Sequence, residues 1–130
     1  MLAIFWKNTD MKIDLDSVPR NLDEAVDAIV AGISDEEREF IRTREQDYST
    51  HFGVGMYLRN NWSLWEPECP LNRWFVEHLG IMHADDISGT IFAAVWAKVR
   101  GESFDPAAHA ETYKKHWRER GIDPATMRQL

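Results

Sequence analysis

The chain has 130 residues, 44% of them hydrophobic and 28% charged, with a formal net charge of −7 and a single cysteine. That length suits one domain able to bury a core without metals or disulfides as staples, and Cys69 has no second cysteine for an internal disulfide or a zinc knuckle. No run approaches the roughly 18 consecutive apolar residues of a membrane span, and the acidic balance disfavours a phosphate-tracking surface, so neither membrane nor nucleic acid is an expected partner.

The segment from Met1 to Lys7 lacks the basic start and small-residue cleavage site of a secretory leader, which points to a cytoplasmic protein. Residues 1–20 show no helical period and read as an irregular N-terminal arm, with at most a short strand at Leu2–Trp6. Residues 21–130 read as a single helical domain. Asn21 followed by Glu24 is a capping-box pattern, and Leu22, Val26, Ile29 and Ile33 recur at helical spacing, so a first helix is expected over about 22–32. Ser34 and Glu37 repeat the pattern, with Asp35 and Glu36 favourable to the helix dipole. The helix that follows carries only Phe40 and Ile41 as strong apolar anchors, so most of it should face water.

Tyr48 or His51 opens a third helical segment, weakened by Gly53 and Gly55 at up to about 1 kcal/mol each relative to alanine. Pro67 and Pro70 interrupt the chain, and Leu71 to Gly80 reads as a short helix with a glycine cap and an apolar stripe of Leu71, Trp74, Phe75 and Leu79. Asp85 is the expected N-cap of a long helix over 86–100, stopped by Gly101. Ile87, Ile91, Phe92, Val95, Trp96 and Val99 cover more than one of its faces, which makes it the central element. Asp105-Pro106 starts the last long helix and Gly121 follows its end, with Ala110, Tyr113 and Trp117 inward and Lys114, Lys115, Arg118 and Arg120 outward. A short turn begins at Asp123-Pro124. The expected fold is all-α, a compact bundle of about six helices.

Charge is unevenly distributed. Twelve acids and five bases lie between Asp10 and Asp47, whereas seven bases and five acids lie between Lys98 and Arg128. An acidic half serves solubility and also suits a basic protein partner.

The run from His51 to Trp65 concentrates the chain's recognition chemistry. On a helix, His51, Val54 or Gly55, Leu58, Trp62 and Trp65 share a stripe with Arg59 beside it, and the glycines permit close approach of a backbone or ligand. Arg59, Asn60 and Asn61 add directed donors and acceptors beside large aromatic surfaces, as in a recognition pocket. The alternative is structural: Arg59 pairs with a core carboxylate, the amides end the helix, and both tryptophans are core. The order His51-x-Gly53-x-Gly55-x-x-Leu58-Arg59-Asn60-x-Trp62-x-Leu64-Trp65, followed by Asp85-Asp86-Ile87-Ser88, resembles a small bacterial domain family of unknown function. The resemblance spans roughly residues 18–100. Ser63 stands where that family commonly has glycine. It implies that the two motifs belong together and carries no activity with it.

His83, Asp85 and Asp86 admit two readings. Adjacent acids near a histidine suit a divalent metal or acid–base work, with Asp47 and His51 as further members. Alternatively Asp85 caps the central helix and Asp86 favours its first turn, with either acid paired to Arg59. Cys69 has no local histidine to activate it, and His109 and His116 read as surface residues. No Walker loop, dinucleotide fingerprint or zinc-finger spacing occurs. The sequence therefore points to a non-enzymatic interaction domain, without cofactor or metal, that binds a protein or small regulatory partner. An immunity or inhibitor protein acting against a toxin or nuclease is one form of it. The expected site comprises His51, Gly55, Arg59, Asn60, Trp62, Trp65, Asp85 and Asp86. The alternative is a small metal-dependent hydrolase built on His51, Asp85 and Asp86, with Asp47 or His83.

Overall fold

The computed structural model describes residues 18–43, 64, 66 and 68–130. They form an all-α structure of five helices: α1 (Leu22–Gly32), α2 (Asp35–Thr43), α3 (Pro70–Leu79), α4 (Ala84–Arg100) and α5 (Pro106–Arg118). The expected strand at Leu2–Trp6, the helix opening at Tyr48 or His51 and most of the N-terminal arm lie outside the described residues. Of that arm, Pro19 is buried and Val18 packs against the core.

Local signals set most helix ends. Asn21 Oδ1 accepts from the Glu24 N–H at 2.8 Å, satisfying one of the donors that a helix start leaves without an intrahelical partner. Glu24 reaches one residue beyond the expected box, accepting from the Arg20 N–H at 3.1 Å. At α2 the box is fully reciprocal: Ser34 Oγ accepts from the Glu37 N–H at 3.1 Å, and Glu37 Oε1 accepts from the Ser34 N–H at 2.9 Å. Glu37 is buried, so α2 faces water less than its composition suggests. Asp105 caps α5 through the Ala108 N–H, with Pro106 at the first helical position. Gly80 and Gly101 close α3 and α4 with φ of 69° and 71°, a left-handed conformation that costs a side-chain-bearing residue strain.

The expectation of a central helix holds. Every residue of α4 from Asp86 to Ala97 is buried, and α4 packs against α1, α2, α3 and α5. Ile29, Ile41, Leu64, Leu71, Phe75, Ile81, Ile87, Ile91 and Val95 are the largest side chains withdrawn from solvent. Thr90 and Ser88 return their hydroxyls to the helix itself, donating to the carbonyls of Asp86 and Asp85 at 2.8 and 3.0 Å. Their burial therefore leaves no hydroxyl proton without an acceptor.

Two buried links hold the approach to α4. Asn72 on α3, 2% exposed, donates through Nδ2 to the Leu64 carbonyl at 2.6 Å and to the Met82 carbonyl at 3.2 Å. The Met82 N–H donates to the Pro124 carbonyl at 2.9 Å, which ties the C-terminal turn to the same strand of chain. That turn carries an isolated antiparallel bridge between Ile122 and Gln129. No helix among the described residues is long and apolar enough to cross a membrane.

Candidate functional site

The chain leaves Gly80 through buried Ile81 and half-buried Met82 and His83 before entering α4. The N-cap is His83, not Asp85 as the sequence suggests: His83 has extended backbone, and its Nδ1 lies 3.1 Å from the Asp85 N–H. The helix consequently starts two residues earlier than expected, and both acids fall inside its first turn, where the dipole favours negative charge. The Asp85 carboxylate is released from capping and turns outward, 3.9 Å from His83 Nδ1.

Asp86 points the other way. It is 8% exposed, and its Oδ2 accepts a hydrogen bond of 2.7 Å from the indole Nε1 of Trp117, near the end of α5. His83 stacks on the same indole, with centroids 5.4 Å apart and planes at 28°. His116 meets that ring edge-on, at 5.0 Å and 87°. Trp117 thus joins the start of α4 to the end of α5 by one directed bond and one ring contact, and His116 packs on it from within α5.

These side chains border a cleft of about 450 Å³ lined by His83, Asp85, Asp86, Thr112, Tyr113, His116 and Trp117. Burial raises the Asp86 carboxyl above its ordinary value of 3.8, and the Asp85 charge adds to the rise; the Trp117 bond and the charges of His83 and His116 oppose it. The folded state therefore holds the Asp86 proton more tightly than the unfolded chain does. The stability that this group contributes is present in full below the unfolded value and is lost as pH rises through the folded one. At neutral pH the charged form is a net cost to the fold.

The cleft offers two carboxylates, two imidazoles, two hydroxyls and aromatic faces, a set suited to hydrogen-bonded or cationic groups. Among the described residues no three His, Cys, Asp or Glu side chains group as a metal site. Asp85 and Asp86 both border the cleft, as does His83. The other expected site residues, His51, Gly55, Arg59, Asn60, Trp62 and Trp65, lie outside the described residues, as do Asp47 and the Arg59 pairing. Tyr113, expected inward, packs against the core and also lines the cleft, half-buried Trp117 lines the cleft with it, and His116 joins them although exposed. The available signal was a tryptophan between His116 and Arg118 on a cationic helix face, where a purely solvated surface has little use for it. His109 is not a plain surface residue: it is half-buried, 3.1 Å from the Tyr113 hydroxyl and beside Phe104. Cys69 is buried at 6% exposure.

Residues 18–99 match the family described as a domain of unknown function, DUF6794. The chain belongs to that family. No curated protein and no solved structure matches it.

Proposed function

We propose that this DUF6794 member is a non-enzymatic interaction domain of the bacterial cytoplasm, binding a protein or small regulatory partner with the His83–Trp117 cleft as part of its recognition surface. One observation carries the reading: a carboxylate only 8% exposed, and raised by that burial, is kept on a cleft of about 450 Å³ beside two imidazoles and an indole. Groups held at a cost to stability concentrate where function requires them. A hydrogen-bond donor or cation from a partner would meet the Asp85 and Asp86 carboxylates against aromatic faces.

A second reading, a small metal-dependent hydrolase, draws support from the gathering of His83, Asp85, Asp86 and His116 on one cleft. It needs a further metal ligand from residues beyond those described. The interaction reading is tested by affinity capture from the native host on immobilised protein, comparing the wild type with Asp85→Asn/His116→Ala. Both substituted side chains are exposed, and the melting temperature of the variant reports any loss of the His116 contact with Trp117. The expected result is a partner retained by the wild type and lost by the variant. Equal recovery on both proteins would remove the cleft from the binding surface, and turnover of a phosphoester or ester that requires Asp86 would favour the hydrolase.

A further inference from the structure

A second opening lies toward the other end of α4, and its chemistry points to a partner of one kind. α1 presents two neighbouring rows at helical spacing: Leu22 and Val26, 4% and 6% exposed, and one step round, the exposed Asp23 and Asp27. Across from them α4 supplies Ala94 and Ala97, and then Lys98. The connection to α5 closes the end with Glu102, Phe104 and Pro106, leaving a groove of about 490 Å³ with an apolar base and a charged rim.

Three carboxylates line this groove against one ammonium. Lys98 Nζ reaches from α4 to Asp27 Oδ1 on α1 at 2.6 Å, and Arg100, which does not line the groove, lies 3.6 Å from Glu102. The Lys98–Asp27 pair is well exposed, at 54% and 65%, so little is lost when another cation takes its place.

We propose that this groove binds a basic amphipathic helix of a partner protein. An apolar residue of that helix seats between Val26 and Ala97 beside Phe104, and its lysine or arginine groups pair with Asp23, Glu102 and Asp27, displacing Lys98 from the last. The charge balance selects a basic segment over an acidic one. The inference stands apart from the cleft at the start of α4, and either can fail without the other.

The test is a nuclear magnetic resonance titration of the isotopically labelled full chain with a synthetic amphipathic leucine–lysine peptide, with a leucine–glutamate peptide as its counterpart. The expected result is a set of amide shifts centred on Val26, Ala97, Glu102 and Phe104 with the lysine peptide and none with the glutamate peptide. Asp23→Asn/Asp27→Asn should bind about tenfold more weakly, and Lys98→Met should bind more tightly because the internal competitor is gone. All three side chains are exposed, and unchanged melting temperatures confirm intact folds. Absence of binding, shifts centred instead on the acidic row Asp35, Glu36 and Glu39, or undiminished affinity in the double variant would each overturn the proposal.

Discussion

Replacing Trp117 with alanine is expected to destabilise the protein by about 3 kcal/mol in urea unfolding, a large effect for a half-buried residue on a cationic helix. Two losses combine. The indole surface against His83 and His116 disappears, and Asp86 Oδ2 loses its 2.7 Å donor. Trp117→Phe separates them, because phenylalanine retains a ring for both imidazoles and has no N–H. About 1–2 kcal/mol should remain as the cost of the missing hydrogen bond alone. A Trp117→Phe variant as stable as the wild type would show that the bond contributes nothing to joining α4 and α5.

The second large effect is expected at Asn72. Asn72→Ala should cost about 2–4 kcal/mol, since it withdraws one amide from two carbonyls and leaves a void at a site 2% exposed. Asn72→Leu fills most of that volume without restoring either bond, so it should recover only the packing share. The consequence extends beyond stability: Met82, whose carbonyl Asn72 holds, immediately precedes the His83 cap. Loosening Met82 should therefore broaden or shift the His83 and Trp117 resonances even where the variant stays folded. An Asn72→Leu protein of wild-type stability with unmoved His83 signals would contradict this positioning role.

Helix ends were legible in the sequence because capping is local chemistry. Asn21, Ser34, Gly80, Gly101 and Asp105 each act within a few residues, so spacing alone reveals them. The centrality of α4 was equally readable, since Ile87, Ile91, Phe92, Val95 and Trp96 leave no broad polar face. His83 was missed as a cap because acids are better N-caps in general, and Asp85 and Asp86 stood in the right place for that role. The imidazole took the position, which turned Asp86 inward to Trp117.

The cleft was legible in part: His83, Asp85 and Asp86 stand together in the sequence, but the distant residue that completes them does not. Asp86 and Trp117 are 31 residues apart, and a single bond between distant side chains has no period to detect. The double link of Asn72 is similar: its partners are backbone carbonyls, whose identity does not depend on residue type. Spacing with Ala110 and Tyr113 turned Trp117 inward, but no period tells which distant side chain its indole meets.

In the proposed function the Asp86 carboxyl, held out of solvent at a site that raises it, serves recognition on the cleft. Asparagine at this position retains an oxygen to accept from Trp117 Nε1 and removes the charge that burial disfavours. Asp86→Asn should therefore melt at or above the wild type near neutral pH, with the difference shrinking as pH falls toward the ordinary aspartate value of 3.8. The decisive measurement is the affinity of this variant, at neutral pH, for the partner that the wild type captures. A loss of about tenfold or more in a protein at least as stable as the wild type is the predicted result; undiminished affinity would contradict the account.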